Sequence, residues 1–160
     1  VGYVDHANSL LRYGTNSSGA WTTSTVASTA GYAVVLEVDG TGAPHLLYAD
    51  GTGISQSDRT STGWSTPAQV LSLGSSSAEY MTGAMDWEGH YHLAFCVLDS
   101  SGNAWADSAY ASNGSGAWTS TSLTGACNGG SPSVAVSPLG PIGVAYLDTS
   151  NMLVYETFCQ

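Results

Sequence analysis

Internal repetition constrains the fold of this chain more than any other feature of its sequence. Four segments share one pattern of apolar residues around an aromatic: VGYVD (1–5), PHLLYAD (44–50), YHLAFCV (91–97) and IGVAYLD (142–148). The aromatic recurs at Tyr3, Tyr48, Phe95 and Tyr146, at steps of 45, 47 and 51 residues. A fixed period in this range is the signature of a repeat architecture, so the repeat is interpreted before any single motif.

Other short runs recur around this segment. Runs ending in a glycine turn precede it at 32–42, 80–89 and 131–140, and alternating runs follow it at 9–15, 53–59, 103–110 and 152–158. A last run contains Gly-x-Trp or Gly-Trp, at 19–26, 63–70 and 116–123. Alternating runs separated by glycine turns predict antiparallel hairpins. Each repeat thus contains four short strands, a to d.

A repeat of this size, built from four antiparallel strands, predicts an all-β fold with the four-stranded blades of a β-propeller. A β-sandwich is the alternative, but a sandwich has no reason to repeat the Trp turn three times. The predicted units are a partial blade at 1–30, blades at 31–77 and 78–130, and a partial blade at 131–160. About three and a half blades cannot close a ring, so we expect a homodimer, or a second propeller fragment, to complete it.

Composition excludes several classes of protein. Hydrophobic residues make up 42% of the chain and charged residues 9%, which argues against a disordered tail or a coiled coil. The chain has twelve Asp and Glu residues, and its lysine and arginine residues are only two, Arg12 and Arg59. No basic surface for nucleic acid is therefore expected. No apolar run is long enough to span a membrane. The sequons at Asn16 and Asn113 and the lack of lysine suit a secreted protein.

Three cysteines, Cys96, Cys127 and Cys159, have no Cys-x-x-Cys spacing, which disfavours a zinc site. One disulfide with one free or intermolecular thiol is one interpretation, and Cys127 with Cys159 is then the preferred pair. Three buried thiols acting as small hydrophobic residues are the alternative.

The repeats resemble those of secreted bacterial and fungal propellers, and VLEVDGTGAPHLLYAD (35–50) carries the resemblance most fully. The Trp turns TNSSGAW (15–21), RTSTGW (59–64) and SNGSGAW (112–118) are similar to the Asp-box of sialidase-type propellers, without its complete pattern. In that family the box is structural, and three arginines bind sialic acid, whereas this chain has two. Propeller lectins, which hold sugars in clefts between blades, are the other group it resembles.

The resemblance implies that the d-to-a and b-to-c connections share the ligand-binding rim. The residues that this predicts as ligand-binding are Asp5, His6, Tyr32, Asp50, Glu79, Tyr80 and Asp148. Aromatic stacking and hydrogen bonds from Asp and His suit a neutral glycan, so a lectin-like, carbohydrate-binding function is expected. The alternative for Asp5, Asp50 and Asp148 is a turn cap, because they recur at one place in the repeat.

Histidine and tryptophan residues have structural alternatives as well. His45 and His92 each open a b strand, where a structural imidazole is favoured over a ligand. His90 and His92 share a strand face but lack a third metal ligand at recognisable spacing, so neither a metal nor a cofactor is predicted, with a structural Ca²⁺ as the alternative. Trp21, Trp64 and Trp118 are expected to pack between blades. Trp87 and Trp105 are better candidates for sugar platforms.

Glu37 departs from the repeat, because the corresponding residues are Ala84 and Ala135. A buried carboxylate has a raised pKa unless it is paired, which makes Glu37 a candidate catalytic general acid with a rim carboxylate as base. That is the alternative function, a glycoside hydrolase or polysaccharide lyase. In the non-catalytic interpretation, Glu37 points into a water-filled channel. The repeats favour binding over catalysis, since no catalytic signature stands out.

Overall fold

The computed structural model describes residues 1–28, 31, 33–101, 105–123, 127, 130–138 and 140–158, with the backbone alone at 105 and 106. These residues form strands and turns and no helix, which confirms the predicted all-β fold. Accordingly, this part of the chain offers no helix long and apolar enough to cross a membrane.

Fifteen strands follow one another along the described chain. They are β1 (Gly2–Asp5), β2 (Leu10–Thr15), β3 (Thr22–Ala27), β4 (Val34–Val38), β5 (Pro44–Ala49), β6 (Gly53–Thr60), β7 (Gly63–Trp64), β8 (Ala68–Ser72), β9 (Ser77–Met85), β10 (Tyr91–Leu98), β11 (Trp105–Ser112), β12 (Thr119–Ser122), β13 (Ser133–Val136), β14 (Ile142–Leu147) and β15 (Leu153–Phe158).

The strands form four antiparallel sheets in chain order. Sheet 1 is β1-β2-β3, sheet 3 is β9-β10-β11-β12, and sheet 4 is β13-β14-β15. Sheet 2 is β4-β5-β6-β7, and β8 also pairs with β6. The predicted strand order is present, except that the last strand of sheet 2 is split in two. Pro67, which has no backbone N–H to donate to the ladder, lies between the two pieces.

The sheets pack face to face through three apolar clusters, one at each junction between consecutive sheets. Tyr48 of sheet 2 packs with Leu11 and Val26 of sheet 1. Phe95 of sheet 3 joins a cluster with sheet 2, and Tyr146 of sheet 4 joins one with sheet 3. The repeated aromatic therefore lies on the face toward the preceding sheet, here named the leading face; the opposite side is the trailing face.

The first strands of the sheets contact one another in the order β1, β4, β9 and β13. Glycines permit this approach at two of the junctions. A Cβ at Gly83 would lie 2.5 Å from Cγ1 of Val35, and one at Gly2 would lie 2.5 Å from Cδ2 of Leu46. Both distances are too short for carbon atoms, so a larger residue at either position would displace the facing side chain.

Cys96 of β10 forms a disulfide with Cys127, which lies between β12 and β13. The preferred pairing of Cys127 with Cys159 is therefore wrong, and Cys159 lies outside the described residues. The fold brings Cys127 to β10, where the Cα atoms of Cys96 and Cys127 are 5.7 Å apart, within the range that a disulfide spans.

Candidate functional site

Aspartates close the turns between the second and third strands of the repeats. Asp50 Oδ1 accepts hydrogen bonds from the Thr52 amide (3.0 Å) and hydroxyl (3.1 Å). Asp148 Oδ1 accepts the amides of Ser150 and Met152, both at 2.8 Å. These bonds are the ones expected of turn caps.

Asp5 closes the corresponding turn of sheet 1. Its carboxylate accepts hydrogen bonds from the Asn8 side chain, at 2.9 and 3.1 Å, and from Arg12 Nε at 3.2 Å. Hydrogen bonds from Asn8 and Arg12 lower the pKa of Asp5, so its carboxylate stays ionised. Its oxygens accept hydrogen bonds from within its own hairpin.

Sheet 3 has the same cap, which the sequence pattern failed to reveal. Asp99 Oδ1 accepts the amide of Ser101 at 2.9 Å and its hydroxyl at 2.5 Å. β10 is longer than the corresponding strands and has register shifts against both of its neighbours, so Asp99 follows Phe95 by four residues, whereas Asp50 follows Tyr48 by two. Bulges of this kind displace a motif along the chain without removing its function.

A pocket of about 360 Å³, here called the rim pocket, opens between sheets 1 and 2. Its lining residues are Val26, Ala27, Ser28, Tyr48, Asp50, Ser55 and Pro67. Apolar side chains from two sheets thus face a carboxylate and three hydroxyl groups. Of the described residues predicted to bind ligand, Asp50 is the one that lines this pocket.

The polar groups of the rim pocket have fixed protonation states at neutral pH. Burial opposes ionisation of Asp50, but hydrogen bonds from Ser55, whose Oγ lies 2.5 Å from Oδ2, and from Thr52 outweigh it and lower the pKa. Burial, together with the charge of Asp50, raises the pKa of Tyr48 to about 12. Asp50 is therefore an acceptor, and Tyr48 keeps its proton.

Other predicted site residues lie elsewhere. His6 is exposed in the turn after β1, and Tyr32 lies outside the described residues. Glu79 and Tyr80 were placed in a connection between strands, which is wrong, because both belong to β9. A register shift between Ala94 and Cys96 lengthens β9 at this point, and Tyr80 has a φ of 46° there.

A second pocket, here called the histidine pocket, has a volume of about 390 Å³ between sheets 3 and 4 and includes His90, His92, Tyr110 and Phe158 in its lining. Asp86 Oδ2 lies 3.0 Å from His90 Nδ1 and 3.2 Å from His92 Nε2. His92 Nδ1 lies 2.7 Å from the hydroxyl of Tyr110. Burial raises the pKa of Asp86, but bonds from His90 and His92 dominate and lower it to about 2.

Part of this arrangement recurs in sheet 2, where Asp39 Oδ2 lies 3.3 Å from His45 Nε2. The recurrence of the pair supports the structural interpretation of both imidazoles. Asp86, Glu88 and His90 also offer three ligand atoms within 4.8 Å of one another, a group that includes His90 of the predicted histidine pair but not His92. Asp86 Oδ1, however, already accepts the amides of Glu88 and His90.

Glu37 faces His45 across the β4–β5 pair, and Ala84 and Ala135 hold the same register in sheets 3 and 4. Burial raises its pKa. The pKa of Tyr91 in sheet 3 is raised mainly by burial. The charges of Asp58, Asp39 and Glu37 raise it further, in that order. Glu37 lines none of the pockets described here.

The Trp turns differ in what covers them. Trp64 packs on Tyr13 of sheet 1, with ring centroids 5.2 Å apart, and its Nε1 donates to Ser24 Oγ at 3.3 Å. Trp118 stacks on Tyr91 at 6.0 Å. Trp118 also packs against the apolar cluster shared by sheets 2 and 3, so both have the predicted packing role. Trp21 is exposed, as is Trp87 in the turn after β9, and the side chain of Trp105 lies outside the described part of the structure.

No protein-family model and no curated protein sequence matches this chain. Among solved structures, it is similar to a fucose lectin from Kordia zhangzhouensis, in complex with methyl-fucoside, at 18% identity and a TM-score of 0.49. The match covers 79% of this chain and 92% of that chain. The function of this chain is accordingly inferred from its own residues.

Proposed function

We propose that this protein is a carbohydrate-binding, lectin-like protein and that the rim pocket holds a neutral sugar unit. One observation carries the proposal: the rim pocket combines apolar walls from two sheets with Asp50, Ser55 and Tyr48 converging from one strand pair. An apolar surface with a few oriented polar groups is the usual form of a small-ligand site.

The chemistry of the pocket suits a pyranose. Val26 and Pro67 offer apolar contact to the C–H face of a sugar ring, while Asp50 accepts hydrogen bonds from ring hydroxyls. The Tyr48 hydroxyl can donate and accept, whereas Ser55, whose proton goes to Asp50, offers its oxygen as an acceptor. A pocket of about 360 Å³ accommodates one or two sugar units.

The charge of the rim pocket favours neutral sugars over anionic ones. The chain has a net charge of −10, and the described rim pocket holds a carboxylate and no cationic side chain. An anionic sugar would meet an uncompensated carboxylate, whereas a neutral sugar uses it as an acceptor. Binding is expected to persist at high salt, since neutral hydrogen bonds and apolar contacts are little screened.

A binding function is favoured over the hydrolase or lyase alternative by the position of Glu37. A general acid must reach the bond that it protonates, and Glu37 is not among the residues that line the rim pocket. The Cys96–Cys127 disulfide suits an oxidising compartment, so we place the protein outside the cell.

The test compares two aspartates that cap equivalent turns. Asp50→Asn and Asp148→Asn each weaken one cap and should each cost about 1 kcal/mol of unfolding free energy. Only Asp50 lines the rim pocket, so Asp50→Asn should lower the affinity for a neutral monosaccharide or oligosaccharide at least ~10-fold, while Asp148→Asn keeps it within about 2-fold. Glycan arrays identify the sugar, and calorimetry measures affinity.

Two outcomes would refute the proposal. One is a correctly folded protein that binds no neutral glycan on the array. The other is an equal loss of affinity in Asp50→Asn and Asp148→Asn, because that would tie binding to stability rather than to the pocket. Sugar release that depends on Glu37 would instead favour the hydrolase or lyase.

A further inference from the structure

The two end sheets each have a face that none of the other described sheets covers. Among the described strands, no sheet packs against the leading face of sheet 1 or against the trailing face of sheet 4. The sheets repeat one another, so each exposed residue on these faces has counterparts whose surroundings are known.

On the leading face of sheet 1, Tyr3 is 40% exposed, whereas its counterparts Tyr48 and Phe95 are 2% and 0% exposed. Those counterparts pack on the sheet before them. Trp21 is 65% exposed, whereas Trp64, at the same point of its repeat, is partly buried against Tyr13 of the preceding sheet. The exposure of Tyr3 and Trp21 thus reflects a missing neighbour.

On the trailing face of sheet 4, Leu153 is 75% exposed. Its counterparts by strand register, Leu11 and Ile54, are both 0% exposed and contact the following sheet. Tyr155 is 68% exposed and holds the register of Tyr13, the residue that Trp64 covers. Leu153 and Tyr155 therefore also lack the neighbour that their counterparts have.

We propose that the leading face of sheet 1, with Tyr3 and Trp21, docks on the trailing face of sheet 4, with Leu153 and Tyr155, of a second copy of this chain. Trp21 of one copy covers Tyr155 of the other, as Trp64 covers Tyr13 within the chain. In a closed pair each face is used once, so two identical contacts form.

A second copy is the occupant because the two faces are the two halves of a junction that the chain already builds three times. The groove on the sheet 4 side, of about 360 Å³, is lined by small and apolar residues with Tyr155 and by no charged residue. The groove therefore adds no charge to the contact from the sheet 4 side, and Arg12, opposite Tyr3 in sheet 1, is paired with Asp5. Burial of Leu153 and of the aromatic side chains would stabilise the contact by removing apolar surface from water.

The test measures mass in solution by light scattering. All proteins carry Cys159→Ser, which prevents an intermolecular disulfide through this thiol. At ~20 µM the parent protein should have twice the chain mass of 16.4 kDa. Trp21→Ser and Tyr155→Ser should each shift it to the monomer mass while retaining the circular dichroism spectrum of strands. Trp87→Ser, which removes an exposed tryptophan from a turn outside both faces, should remain a dimer.

Mixing the two monomeric variants gives a sharper result. A pair of Trp21→Ser with Tyr155→Ser has one contact with both aromatics intact and one contact with neither, so the mixture should regain dimers that neither variant forms alone. A folded parent monomer at ~20 µM would overturn the proposal, as would dissociation by Trp87→Ser or a mixture that stays monomeric. Sugar binding in the rim pocket is measured separately, because both of its walls belong to one chain.

Discussion

At the scale of single residues, position in the repeat decides what a carboxylate does. Asp5, Asp50, Asp99 and Asp148 close equivalent turns, yet Asp50 alone among them also lines the rim pocket. Glu37 is the opposite case, since it stands where sheets 3 and 4 have alanine and burial raises its pKa. Comparison of equivalent positions thus distinguishes residues that recur and maintain the fold from residues that differ from their counterparts.

Substitution of Glu37 should change stability in a pH-dependent way. Because the folded-state pKa lies above the ordinary value of 4.5, the folded state binds this proton more tightly than the unfolded chain. The free energy of unfolding therefore falls as pH rises through this range. Glu37→Gln removes the charge and should melt at a higher temperature than wild type at pH 7, with the difference shrinking at pH 3.

Melting curves at both pH values check this expectation. A difference between Glu37→Gln and wild type that is the same at pH 3 and pH 7 would contradict it, because an effect of ionisation must disappear once wild-type Glu37 is protonated.

At the scale of strands and sheets, close backbone approach depends on single glycines. A Cβ at Gly53, at the start of β6, would lie 2.1 Å from the carbonyl oxygen of Leu71 in β8. A backbone oxygen cannot rotate away as a side chain can, so the β6–β8 pairing would have to open. Gly40, in the turn after β4, has open space around the corresponding position.

Gly53→Ala should consequently lower the free energy of unfolding by about 1–3 kcal/mol, the usual cost of overpacking. Gly40→Ala, the matched control, should be neutral or slightly stabilising, because alanine restricts the unfolded chain. Urea unfolding of both variants measures the difference. Equal stabilities would show that β8 can shift without lowering the free energy of unfolding.

Sequence periodicity predicted the strand order and the positions of Trp64 and Trp118, because both follow from local pattern and repetition. It did not predict Asp99, since a bulge shifts the motif, or the Cys96–Cys127 pair, since that pair depends on the path between sheets. The rim pocket was only half predicted. Asp50 was found by its position, but Ser55 and Pro67 join it through the packing of two sheets, which no pattern within one repeat specifies.

At the scale of the whole molecule, the Cys96–Cys127 disulfide fastens the segment between sheets 3 and 4 onto sheet 3. Cys96 and Cys127 are 0% and 1% exposed, and Ser108 Oγ lies 3.2 Å from Cys127 Sγ. The sequence separation is 31 residues, and closing a loop of that length removes entropy from the unfolded chain. Elsewhere, neighbouring sheets are held by apolar clusters, so this covalent link is a separate contribution to stability.

Loss of this disulfide should destabilise the protein by about 3–4 kcal/mol, the loop-entropy value for a loop of this length. The double variant Cys96→Ala, Cys127→Ala should therefore unfold at lower urea concentration than wild type, and a reducing agent should lower the stability of wild type but not of the double variant. Cys159→Ser is the control and should respond to reduction as wild type does, because it keeps the bond. A reducing agent that leaves wild type unchanged, with full reduction confirmed by thiol labelling, would show that apolar packing between sheets 3 and 4 is sufficient without the disulfide.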